Sequence, residues 1–144
     1  MVGNITAEII YNLCKLGFEI TEVENIGYHF MYMGKDVFYC IANDDGSSLK
    51  LVLVEKREII STDITRIFTV LNTINNTVRY VKASLIDYET VWLTCEQSIC
   101  TKEESLADLL QISICSLYQA SILFNNKIHT ESTHKGIINI EESV

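Results

Sequence analysis

Five cysteines, three histidines and nineteen carboxylates are the side chains of this 144-residue sequence that could do chemistry, and their spacing argues against most of it. A nucleophilic thiol needs a base within hydrogen-bond reach. His29 is the one histidine inside the periodically patterned region, and Glu96, next to Cys95, would raise a thiol pKa rather than lower it. The cysteines (Cys14, Cys40, Cys95, Cys100, Cys115) are odd in number and form no C-x-x-C, and Cys14, Cys40 and Cys115 stand among apolar residues. They read as buried thiols of a reducing compartment. His129 and His134 are five apart, a spacing that does not bring two imidazoles together on a helix, and no cysteine or carboxylate pair completes a zinc set. Asp44-Asp45-Gly46-Ser47-Ser48 lacks the alternating oxygen ligands and distal Glu of a calcium loop, and Glu22 and Glu24 read as a solvated acidic connection. The sequence thus assigns no catalytic residue, no cofactor and no metal, and the expectation is a protein that is not an enzyme.

Composition narrows the partners. A net charge of -8 and a pI near 4.8 oppose phosphate-rich surfaces, which are bound by clustered Lys and Arg. The only adjacent basic pair is Lys56-Arg57, so neither nucleic acid nor an anionic membrane is expected as a partner. Met1-Val2-Gly3-Asn4 has neither the basic nor the apolar region of a signal peptide, which predicts a cytoplasmic location. Leu109 to Asn126 carries no charge over eighteen residues, close to a membrane span. Its Gln111, Ser113, Ser116, Gln119 and Ser121 instead favour a helix packed within protein. The length suits one domain with a real core, and without proline or repeats there is no visible linker.

The elements that would position these residues follow from periodicity. Ile9, Ile10, Leu13 and Leu16 recur at helical steps over Thr6 to Leu16, and Gly17 stops that helix. Tyr28 to Met33 and Val37 to Ala42 read as strands around a Gly34-Lys35-Asp36 turn; Asp45-Gly46 then turns the chain into a third strand, Ser48 to Val54. Ser61 caps a second helix carrying Ile64, Ile67, Phe68, Leu71 and Ile74, which leaves through Asn75-Asn76. Two more strands, Val78 to Leu85 and Thr90 to Glu96, flank Ile86-Asp87-Tyr88-Glu89. Thr101-Lys102-Glu103-Glu104 is a capping box that opens the third helix, and the pattern fades after Lys127. The predicted fold is α+β: an antiparallel five-stranded sheet with helices packed on it, in the order α-β-β-β-α-β-β-α. A single domain covers 1–128, and 129–144 reads as a loosely held tail.

Both faces of that sheet are partly apolar. Tyr28, Phe30 and Tyr32 oppose Met31 and Met33; Tyr39 and Ile41 oppose Phe38 and Cys40; Leu49, Leu51 and Leu53 oppose Val52 and Val54. Either the helices divide between the two faces, or one apolar face stays uncovered and serves a partner. On the second alternative Met31, Met33, Phe38 and Trp92 are the expected partner-binding residues, although Trp92 also suits a core.

The run from Thr6 to about Lys127 resembles the YbjN-like family, whose fold is similar to that of class I type III secretion chaperones. The element order, the run Leu71-Asn72-Thr73-Ile74-Asn75, the Trp92 strand and the small acidic chain carry the resemblance. It implies a homodimer that holds segments of other proteins, as a chaperone or a sensory transduction regulator, without a cofactor; the tail after Lys127 departs from it. Two functions follow as expectations: a protein-binding module acting through the sheet face or a strand edge, and a small-molecule sensor or enzyme with a pocket between helix and sheet where His29, Tyr32 and Cys40 converge.

Overall fold

A computed structural model describes residues 2–41, 48–56, 64–87, 90–99 and 105–142, with side chains from Ile5 to Ile128. The elements are α1 (Val2–Lys15), β1 (Thr21–Val23), β2 (Gly27–Tyr32), β3 (Lys35–Cys40), β4 (Ser48–Lys56), α2 (Ile64–Thr77), β5 (Val81–Ile86), β6 (Thr90–Ser98) and α3 (Leu106–Glu142). The strands form one antiparallel sheet in the order β1-β2-β3-β4-β6-β5.

The sheet therefore has six strands, not five, and the element order gains a strand before the predicted first one. β1 pairs Thr21 with His29 and Val23 with Gly27. Three residues are too few to show an alternation, so the acidic connection around Glu22 gave no strand signal. Asn25, at φ 66°, turns the chain between β1 and β2.

Local rules account for the other boundaries. Gly17 takes φ 99°, its N–H bonds the Cys14 carbonyl at 3.0 Å and the Phe18 N–H bonds the Leu13 carbonyl at 3.2 Å, which is a Schellman exit from α1. The β2–β3 turn falls on Met33 (φ 50°) and Gly34 (φ 79°), one residue earlier than expected. Both centres have positive φ, as a type I′ hairpin requires. α2 passes through Asn75-Asn76 to Thr77, with the Val78 N–H still bonded to the Ile74 carbonyl at 2.9 Å, so β5 starts at Val81 rather than Val78. Ser105 caps α3, its hydroxyl accepting the Asp108 N–H at 3.1 Å. The Asp45-Gly46 turn, the Ser61 cap, the Thr101–Glu104 box and Cys100 lie outside the described residues. The backbone of α3 stays helical to Glu142, past the point where its apolar periodicity ends.

All three helices lie on one side of the sheet. Ile9 and Leu13 of α1, Ile67, Val70, Leu71 and Ile74 of α2, and Leu110, Ile114, Leu117, Ala120 and Phe124 of α3 form one buried cluster with Phe30, Val37, Tyr39, Leu49, Leu51, Leu53, Val91 and Leu93 of the strands. Burial of each large aliphatic side chain contributes about 1.5–3 kcal/mol. Polar groups pin α3 to the sheet. Gln97 donates to the Ser113 hydroxyl at 2.9 Å. Glu55, only 2 % exposed, receives Lys35 at 3.0 Å on Oε2, and Ser121 together with Asn125 (3.2 Å) on Oε1.

Candidate functional site

Strand pairing places the outward side chains of the opposite face in rows. One row runs Met31, Asp36, Val54, Trp92, Ser84; the next runs His29, Phe38, Val52, Thr94, Lys82; Cys40, Lys50 and Glu96 begin a third. Among the described residues no element packs over these rows. Phe38, Val52, Val54 and Trp92 make a contiguous apolar centre. Val52 is buried although it lies outside the main core. Ile26, Ile41 and Cys40 extend the centre towards the β1–β2 turn, where the Ile41 N–H bonds the Ile26 carbonyl at 3.1 Å. Together they line a shallow hollow of about 460 Å³.

Charge stays at the margins of this face. His29 Nε2 lies 2.8 Å from Asp36 Oδ1, and the imidazole also rests against the Phe38 ring at 5.1 Å between centroids. Lys50 and Glu96 sit opposite one another across the β4–β6 pair. Burial pushes the Cys40 thiol above its ordinary pKa, and Lys50 partly offsets this. A thiol so placed holds less thiolate at neutral pH and makes a poor nucleophile. Among the described residues no three His, Cys, Asp or Glu side chains gather as a metal would need.

Of the residues singled out in the sequence, Phe38 and Trp92 line the hollow, with Trp92 37 % exposed. Met31 lies on the same face, 49 % exposed, while Met33 is displaced from the rows because it forms the hairpin tip. The predicted meeting of His29, Tyr32 and Cys40 does not occur. Tyr32 alternates onto the helix side, where its ring meets Phe18 at 5.9 Å and Tyr118 at 5.3 Å, and the hollow lies on the free face rather than between helix and sheet. The reading of the thiols as buried also needs correction: Cys95 is buried and Cys40 half-buried, but Cys14 and Cys115 are exposed. An apolar neighbourhood in sequence does not place a residue on the inner side of a helix. Ile26 and Ile41 carried no sequence signal as site residues, since they meet only through the β2–β3 pairing; Val52 and Val54 were visible in the alternation of β4.

The outer edge of β5 is occupied at Ala83. The Asn75 side chain accepts the Ala83 N–H at 2.6 Å and donates to the Ala83 carbonyl at 3.1 Å. Its amide occupies the place that a seventh strand would take on β5, a known protection of sheet edges.

Fold and site define a one-sided α+β domain, with helices on one face of an antiparallel sheet and, among the described residues, an uncovered apolar surface on the other. This fold is YbjN-like. YbjN from E. coli, described as a candidate transcription regulator, superposes with a TM-score of 0.55 at 12 % identity over 90 % of this chain and 92 % of that one. A crystal structure of an uncharacterized protein from Methanothermobacter thermautotrophicus superposes with a TM-score of 0.60 at 16 % identity, covering 88 % of this chain and 98 % of that one. No family model matches the sequence, and no curated protein matches it.

Proposed function

We propose that the protein is a non-enzymatic binding module that holds a segment of a partner protein on its uncovered sheet face, in a chaperone-like or regulatory role. The observation that carries this is the apolar centre Phe38, Val52, Val54 and Trp92, rimmed by the His29–Asp36 pair and by Lys50 and Glu96. Aromatic anchors in an apolar centre with charges at the rim are the usual distribution of binding energy at protein interfaces. Face binding is favoured over strand addition at β5, because Asn75 already occupies the free hydrogen-bonding groups of Ala83. The likeness to a candidate regulator supports a binding role through fold alone.

Trp92 is the sole tryptophan of the chain and stands in the proposed contact, so its fluorescence reports directly on occupancy. The test compares capture of partners from the native host by the unaltered chain, by Phe38→Asp and by Trp92→Asp, each checked by circular dichroism. Loss of the same partner in both folded variants, with a blue shift of Trp92 emission when that purified partner is added to the unaltered chain, is the expected result. Unchanged capture by both variants refutes the assignment. A second reading, a sensor of small apolar molecules, rests on the hollow itself, whose volume lies within the range of ligand sites. A Trp92 shift with a small apolar ligand but with no protein would select it.

A further inference from the structure

The open sheet face changes character from one side to the other. Over β3 and β4 it is apolar, whereas over β6 and β5 a second hollow, of about 680 Å³, is lined by Lys50, Tyr80, Lys82, Ser84, Thr94 and Glu96. Trp92 lines both hollows. A single row across the strands shows the change: Phe38 on β3 and Val52 on β4 are followed by Thr94 on β6 and Lys82 on β5. Lys82 is exposed and Lys50 half-buried, and neither forms a salt bridge among the described residues. Against these two ammonium groups the hollow holds one carboxylate, Glu96, opposite Lys50. The polar half is therefore net positive on a chain whose net charge is -8. At the other end of the rows Asp36 faces outwards, already bonded to His29. Lys56, further along β4, lines neither hollow.

We infer that the segment held on this face is extended and carries a carboxylate two residues from one apolar side chain and four residues from a second. The inference rests on the sheet-face reading and adds to it the chemistry of the partner. Neighbouring strands lie about 4.8 Å apart, so the three strand spacings from Phe38 to Lys82 span about 14 Å. Along an extended chain the side chains of one side recur about every 6.8 Å, and four residues cover the same distance. With the carboxylate beside Lys82, the first apolar side chain falls between Trp92 and the Val52–Val54 pair, and the second falls on Phe38. The opposite placement sets the carboxylate on the Phe38 ring and next to Asp36, where it loses water and meets a like charge, so one polarity is selected. Exposed lysines add little affinity each. Their part is partner choice and orientation, while the apolar side chains packed around Trp92 supply most of the binding.

The probes are the peptide acetyl-Ser-Glu-Thr-Leu-Thr-Leu-Ser-amide and the same sequence reversed, which cover both chain directions, each made also with Gln or Lys in place of Glu. They are titrated into the full chain and read by Trp92 emission. At low salt a blue shift is expected with the Glu form of at least one direction, with affinity about threefold lower for its Gln form and lower again for its Lys form. Raising NaCl to about 0.5 M should remove that difference and keep the shift. Lys82→Glu, at an exposed position and checked by circular dichroism, leaves one ammonium group against two carboxylates and should reverse the order to Lys over Glu. Equal affinity for the Glu, Gln and Lys forms overturns this inference and leaves the sheet-face reading standing. Absence of a shift with every peptide overturns it too, and partner capture by Phe38→Asp then still decides the sheet-face reading by itself. A shift with sodium decanoate and none with any peptide overturns both, assigning the face to a small amphiphile.

Discussion

Lys35→Met removes the cation that, among the described residues, faces the buried Glu55 carboxylate, and leaves most of the packing of its stem in place. The Lys35 ammonium lies 3.0 Å from Glu55 Oε2, with the lysine side chain 25 % exposed and that of Glu55 2 % exposed. Ser121 and Asn125 both donate to the other oxygen, Oε1, so the substitution strips Oε2 of the lysine that donates to it. Breaking a buried ion pair from one side costs about 3–5 kcal/mol. The two neutral donors that remain keep part of the charge solvated, each contributing about 1 kcal/mol, which places the expected loss at about 2 kcal/mol. In thermal terms that is a fall of roughly 7 °C in Tm for a domain of this size. Urea unfolding followed by circular dichroism should give a lower midpoint at an unchanged slope. Adding Glu55→Leu to Lys35→Met should recover at least about 1 kcal/mol, since no charge is then left in the core and Asn125 keeps its bond to the Ser121 carbonyl at 2.8 Å. A loss under about 0.5 kcal/mol for Lys35→Met would refute the reasoning, because the pair would then behave as an exposed one.

Phe38→Asp and Trp92→Asp should abolish partner capture, and Trp92→Asp should change stability by no more than about 1 kcal/mol, because the side chain is already partly in water; unfolding of Trp92→Asp would place it in the core instead. Thiol labelling of the native chain should be fast at Cys14 and absent at Cys95 until it unfolds. Cys40 should lag behind a free cysteine peptide at neutral pH and gain rate at a higher pH than that peptide does, since its raised pKa lowers the thiolate fraction at any given pH below it; equal rates at neutral pH would contradict this. Asn75→Ala should cost about 1–3 kcal/mol through the two bonds lost to Ala83 and should increase light scattering on storage by freeing the β5 edge. An unchanged unfolding midpoint would show that those bonds are replaced by water.

What the sequence determined by itself is the part of the fold with a period. The apolar steps of the helices, the alternation of the strands from Tyr28 to Val54 and from Thr90 to Glu96, and the stop at Gly17 identified the α+β class and the antiparallel sheet. The presence of two apolar faces was legible too, because alternation assigns Phe38, Val52 and Val54 to one side and Leu49, Leu51 and Leu53 to the other. Periodicity carries no information on which side a helix will choose, so only the tertiary structure decided that all three helices share one face and leave the Trp92 side open. It also decided what depends on residues distant in sequence: the pairing of β1 with β2, the capture of Ala83 by Asn75, and the burial of Glu55 against α3. Glu55 follows Val54 in a strand that runs out into charged residues, and there a carboxylate reads as solvated. Its partners Lys35, Ser121 and Asn125 come from another strand and another helix, and only packing brings them within hydrogen-bond distance of it.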